Sequence, residues 1–174
     1  MGNVEVAQFL VSRGADVRAT NDNGVTPLHW AKNVDVAKFL VSQGADVNAK
    51  NNGGVTPLHL ANTNLEFAQF LVAKGADVHA KDNFGSTPLH YEQSVEVVQF
   101  LISKGADVNA RNNNGMTPLH FVALAGSVEV AQFLVSKGAD VNAKANGGTT
   151  TPLKLAGAKE NTAVALYLAS IGGR

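Results

Sequence analysis

The tetrapeptide Thr-Pro-Leu-His begins at Thr26, Thr56, Thr87 and Thr117, and a fifth copy at Thr151 reads Thr-Pro-Leu-Lys, at intervals of 30, 31, 30 and 34 residues. A second marker, Gly-Ala-Asp-Val, begins at Gly14, Gly44, Gly75, Gly105 and Gly138, so that the two alternate along the whole chain. A period of this length is the signature of a solenoid, in which each unit is too small to bury its own apolar face and borrows contacts from the units beside it. With 45% hydrophobic residues in 174, the chain has enough apolar surface for such a core.

The two markers also place helices. Thr26 is suited to cap a helix with Pro27 at its first position, where a missing N–H costs nothing, and Leu28 then points inward. Asn33, Asn64, Ser94 and Ser127 each precede an apolar residue and an acid, the pattern of a capped second helix with a carboxylate at its positive end. In the first full unit that helix carries Val36, Ala37, Phe39, Leu40 and Val41 and ends at Gly44, a glycine in the C-terminal capping position.

Thr-Pro-Leu-His and Gly-Ala-Asp-Val-Asn-Ala closely resemble the ankyrin repeat, and the resemblance extends over nearly the whole chain. It implies an all-α solenoid of stacked ankyrin repeats, each a helix–turn–helix with a β-hairpin loop. We read residues 1–174 as a single ankyrin-repeat domain with units 1–25, 26–55, 56–86, 87–116, 117–150 and 151–174, the first of them incomplete.

From motif threonine to the following glycine the spacing is 18, 19, 18 and 21 residues, whereas from glycine to the next threonine it is 12 or 13. Only the Thr117 unit has the usual length, so the units at Thr26, Thr56 and Thr87 have lost two or three residues at the end of their first helix. A three-residue loss shortens that helix by roughly 4.5 Å and should leave a shallower inner wall. Trp30 and Tyr91 are expected to fill part of the lost volume, although Phe121 is as bulky in the full-length unit.

Unit 1–25 aligns with a second helix and its loop alone, and Ala163, Leu166 and Ile171 stand where the preceding unit has Glu129, Gln132 and Lys137. Terminal units ordinarily carry a polar outer face. Three readings stay open: a segment of a longer array, end-to-end self-association through the first or last unit, or an imperfect cap.

Composition removes several classes of chemistry. The absence of cysteine excludes disulfides, thiolate metal sites and cysteine nucleophiles, and balanced charge (14 basic, 14 acidic) gives no bulk attraction to nucleic acid or membrane lipid. No apolar run is long enough to span a bilayer and Met1 to Phe9 lack a leader pattern, from which a cytoplasmic location is expected. His29, His59, His90 and His120 recur once per unit, too far apart to converge on a metal. The resemblance instead implies that each bonds its own motif threonine and nearby backbone. His79 replaces an asparagine found at Asn48, Asn109 and Asn142 and reads as a tolerated loop substitution. The repeated serines Ser12, Ser42, Ser103 and Ser136 lie near helix ends, where hydroxyls meet the last carbonyls. Rows of Lys50, Lys81, Arg111 and Lys144 and of Lys74, Lys104 and Lys137 are answered by regular acids. No aperiodic cluster of titratable residues suggests an active site, and no cofactor or metal is expected.

What remains is recognition. Positions that vary between units while their neighbours stay fixed read as free of the stacking requirement. They are Asp22, Asn23, Asn52, Asn83, Phe84, Asn113 and Asn114 at the tips, and Val25, Val55, Ser86, Met116 and Thr150 before each motif threonine. The family binds partners through these tips and the inner face of the first helix. That implies a protein–protein interaction scaffold with Phe84, Met116 and Leu124 as apolar anchors and Glu92 and Gln93 in a polar rim. Alternatives are a regulatory or targeting arm of a larger enzyme or channel, a host-interacting bacterial protein, or a selected binder.

Overall fold

The computed structural model describes residues 3–31 and 33–174; the first two positions of unit 1–25 lie outside this range. Its elements run in order as α1 (Val4–Ser12), a single 3₁₀ turn Pro27–Trp30, α2 (Val34–Ser42), a second such turn Pro57–Leu60, α3 (Leu65–Ala73), α4 (Pro88–Tyr91), α5 (Val95–Ser103), α6 (Pro118–Ala125), α7 (Val128–Ser136), α8 (Pro152–Ala158) and α9 (Thr162–Ser170). No strand forms among the described residues. The loops between units are hairpin-like turns with one isolated antiparallel bridge, Ala145 to Thr150.

The expected caps form. Asn33 Oδ1 accepts the Asp35 N–H at 2.7 Å, Asn64 Oδ1 that of Phe67 at 3.0 Å, and the Ser94 and Ser127 hydroxyls those of Val97 and Val130, both at 3.4 Å. At the other end Gly44 takes φ +93°, a left-handed conformation that glycine adopts without a Cβ penalty. Long second helices α2, α3, α5, α7 and α9 stack in series, as the contacts α2 to α3, α3 to α5, α5 to α7 and α7 to α9 record. Leu40, Leu71, Leu101, Leu134 and Leu168 form one buried row, and the motif leucines Leu28, Leu58, Leu89 and Leu119 form another.

The first helices are shortened where the spacing predicts it. In the Thr26, Thr56 and Thr87 units the element is one four-residue turn, against eight residues in α6. Trp30, however, fills nothing: it is 66% exposed, and Leu60, its counterpart one unit on, is 43% exposed. Tyr91, by contrast, is half-buried, flanked by Phe121 edge-on at 5.6 Å between ring centres, with its hydroxyl donating to Asp82 at 2.6 Å.

Helices α1 and α7 have the same nine residues, Val-Glu-Val-Ala-Gln-Phe-Leu-Val-Ser. Between α5 and α9, the Val130 and Leu134 side chains of α7 are 0% and 1% exposed, while their counterparts Val6 and Leu10 in α1 are 53% and 51% exposed. Burial of this apolar face is therefore a property of the stack and not of the helix. Leu166 on α9 and Ile171 just after it are also exposed.

Candidate protein-binding surface

Each motif histidine is held on both ring nitrogens. In the Thr56 unit, His59 Nδ1 accepts the Thr56 N–H at 3.2 Å and lies 2.9 Å from the Thr56 hydroxyl, while Nε2 lies 3.1 Å from the Ser86 carbonyl oxygen of the next unit's approach. Because Nδ1 receives a backbone donor, the proton sits on Nε2 and is donated to that carbonyl. His29, His90 and His120 repeat the arrangement toward the carbonyls of Val55, Met116 and Thr150. Burial holds all four below the ordinary histidine pKa, a cost of desolvating the cation that the accepted carbonyls only partly offset. These rings are neutral fasteners between units, with no lone pair left for a metal. Among the described residues no group of three or more His, Cys, Asp or Glu converges on metal-binding geometry.

The serines behave as helix ends require: Ser42, Ser103 and Ser136 donate to the carbonyls three residues back at 2.6 to 2.7 Å. Four of the seven residues in the basic rows are engaged within the chain, by carbonyls and aromatic rings and not by the acids the sequence offers. Lys50 donates to the Lys81 carbonyl at 2.9 Å, Arg111 donates to that of Lys144, and Lys104 and Lys137 lie over the Phe100 and Phe133 rings.

Four hairpin tips are each closed by one side chain that accepts two backbone N–H groups, whereas the tip between Ala145 and Thr150 is closed by their backbone bridge. Asn21 takes those of Asn23 and Val25, Asn51 those of Gly53 and Val55, Asp82 those of Phe84 and Ser86, and Asn112 those of Asn114 and Met116. Consecutive tips are then tied together. Asn52, Asn83 and Asn113 each donate a side-chain amide back to the preceding tip, to the carbonyls of Asp22, Asn52 and Asn83 respectively. Their backbone N–H groups reach the carbonyls of Asn23, Gly53 and Phe84, all at 2.9 Å. The approach is close enough that a Cβ on Gly54 would meet Asn83 Oδ1 at 2.6 Å. Reading these asparagines as free of the stacking requirement is thus corrected: they are exposed, but their amides serve the stack.

Two other expected surface residues lie inside. Ser86 is fully buried beneath its tip, with its carbonyl taken by His59. Glu92 is 1% exposed and falls at the register position filled by Ala31, Ala61 and Val122, so it points into the stack and not to a rim. Neither of its carboxyl oxygens completes a hydrogen bond, and burial pushes its pKa up to about 9, with only the Asn62 backbone N–H pulling the other way. Of the remaining positions, Asp22, Asn23, Gln93 and Asn114 are exposed and Val25, Val55, Met116 and Leu124 are half-buried. Phe84 stands 67% exposed at its tip. Met116 and Phe84 belong to adjacent tips, whereas Leu124 lies at the far end of α6, away from the tip that precedes that helix.

The family model for ankyrin repeats (3 copies) matches residues 1–82, 44–112, 64–145 and 91–173, in overlapping registers that together run almost from end to end. The chain belongs to the ankyrin-repeat family. Comparison with curated proteins gives no match. Ankyrin repeats are generally protein–protein interaction modules and typically non-catalytic, and this ankyrin chain has no helix among its described residues long and apolar enough to cross a membrane.

Spacing alone did not single out Leu60 or the solvent-facing side of Trp30. The available signal was the residue after each Thr-Pro-Leu-His: where the first helix is one 3₁₀ turn, the side chain there is exposed.

Proposed function

We propose that this ankyrin chain is a scaffold that binds a partner protein through its hairpin tips and the concave side of its first helices, without catalysis. The observation that carries this reading is Phe84. A large apolar ring is held in water on a tip whose backbone is bonded on both sides, by Asn83 N–H to Gly53 and by Asn113 N–H to the Phe84 carbonyl. Nothing in the fold is gained by exposing it there, and an aromatic side chain on a rigid platform loses little freedom on association. Asp22, Asn23, Gln93 and Asn114 supply polar contacts around it, and the half-buried Val25, Val55, Met116 and Leu124 add apolar area.

The test uses a partner captured from native extract and identified by mass spectrometry, with affinity then measured on purified components. Alanine at Phe84, Met116 and Leu124 together is expected to weaken binding at least about tenfold, equivalent to about 1.4 kcal/mol. Phe84→Ala alone should account for most of that while leaving the melting temperature nearly unchanged. Unaltered affinity in both variants would remove the tips as the binding surface.

A further inference from the structure

Asparagine followed by glycine occurs four times, at Asn23-Gly24, Asn52-Gly53, Asn114-Gly115 and Asn146-Gly147, each time at a hairpin tip. Such a pair is chemically labile, because the unshielded glycine nitrogen can attack the side-chain carbonyl carbon of the asparagine before it. A glycine N–H held in a hydrogen bond keeps both its proton and its place, and the attack needs both released. Three of the four pairs are held. Gly24 and Gly115 donate to the carbonyls of Asn21 and Asn112, both at 2.8 Å, and Gly53 donates to Asn51 Oδ1 at 2.9 Å. Gly147 stands two residues after Ala145, the place at which Asn21, Asn51, Asp82 and Asn112 carry the side-chain oxygen that closes the other tips. Alanine has no such oxygen, and the Gly147 N–H meets no acceptor among the described residues.

The surroundings favour reaction at this pair. Asn146 and Gly147 are both exposed, and a Cβ added at Gly147 would meet nothing within 4 Å, so solvent reaches the nitrogen. The Thr149 hydroxyl donates to the Asn146 carbonyl at 2.9 Å, which stabilises the negative charge of that peptide group when its N–H loses a proton. The Asn146 carboxamide is tethered by one bond, from Nδ2 to the Thr150 hydroxyl at 3.2 Å, and breaking a single exposed bond to swing Cγ toward Gly147 costs little.

We infer that Asn146 is a self-modification site, at which the folded chain deamidates ahead of its other Asn-Gly pairs. Hydroxide removes the Gly147 N–H proton, a bond forms between Gly147 N and Asn146 Cγ, and the Cγ–Nδ2 bond breaks as that nitrogen takes a proton from water and leaves as ammonia. Water then opens the cyclic imide at either carbonyl, which yields aspartate or isoaspartate. The Asn146 N–H donates to the Asn114 carbonyl at 2.9 Å, so the new carboxylate stands beside the Asn114 tip, on the surface proposed above for partner contact.

The experiment incubates the whole chain in mildly alkaline buffer below its melting temperature and follows conversion at each pair by peptide mapping with mass spectrometry. Asn146 should convert at least about tenfold faster than Asn23, Asn52 or Asn114, the factor that one retained hydrogen bond supplies at the other tips. In denaturant the four rates should converge, since every pair is then an open Asn-Gly. Asn51→Ala removes the acceptor of the Gly53 N–H and should raise conversion at Asn52 toward that of Asn146, with circular dichroism reporting that the variant stays folded. Equal rates at the four pairs of the folded chain, faster conversion at another pair, or a disparity that persists in denaturant would each overturn the inference. An Asn52 rate unmoved by Asn51→Ala would overturn it as well, because the missing tip acceptor would then not be what exposes Asn146.

Discussion

Replacing Glu92 by glutamine is expected to stabilise the fold at pH 7 by about 3 kcal/mol, because the buried carboxyl must hold a proton that the unfolded chain releases. The ordinary carboxyl pKa is 4.5 and burial raises that of Glu92 to about 9. Between those values the folded state binds more protons than the unfolded state. Stability is therefore highest with respect to this group at and below pH 4.5 and falls as pH rises toward 9, by up to about 1.4 kcal/mol per pH unit. Glutamine removes the slope but keeps an unpaired polar group, so only the protonation cost is recovered.

The buried histidines act in the opposite direction. Their folded pKa values lie below 6.5, so as pH falls through 6.5 the unfolded chain takes up protons that the folded chain resists, and stability is lost. Four such rings outweigh one carboxyl on the acid side. Wild-type stability should thus peak near pH 6.5 and decline on both sides, whereas Glu92→Gln should decline only on the acid side up to pH 9. Denaturant melts from pH 5 to 9 read this directly. A wild-type chain with no alkaline decline would mean that Glu92 finds a partner in solution.

Glu92 lies at the same junction as His79, between the Thr56 and Thr87 units. Asn48, Asn109 and Asn142 each bridge to the next unit, the amide donating to the carbonyl of Gly75, Gly138 or Gly172 and the side-chain oxygen accepting the N–H of Asp77, Asp140 or Arg174. His79 makes no such bridge. The asparagine ladder is thus interrupted at the junction where the carboxyl is buried.

His59→Ala is expected to destabilise the chain by about 3 kcal/mol. It strands the buried Thr56 N–H and hydroxyl and the Ser86 carbonyl together, and each unpaired buried group costs about 1–3 kcal/mol, with relaxation recovering part. Because Nε2 reaches the following unit, the loss should fall on the coupling between units and broaden the unfolding transition. His29→Ala, at a less buried copy, should cost less. A loss below about 1 kcal/mol at His59 would show that water replaces the ring without penalty.

Much of this architecture was legible because periodicity exposes it. The interval between motif threonine and glycine located the shortened helices, and the residues before each acid located the caps. Glu92 was misplaced because a lone charged residue reads as surface, although its register against Ala31, Ala61 and Val122 puts it inside. The tip asparagines are deceptive because their position carries Asp22 in one unit and varied neighbours such as Phe84 in others, whereas Asn52, Asn83 and Asn113 are one recurring residue that donates to the tip before it. The exposure of Trp30 depends on what covers it, and a shortened helix specifies missing residues without specifying a replacement.

The account rests on units that fold only against their neighbours, and α1 beside α7 already displays one sequence in two states of burial. Circular dichroism of a synthetic peptide spanning residues 56–86, set against the whole chain in the same buffer, tests this most directly. The peptide should lack helix and a cooperative melt while the full chain has both; a peptide that folds and melts cooperatively by itself would contradict the account.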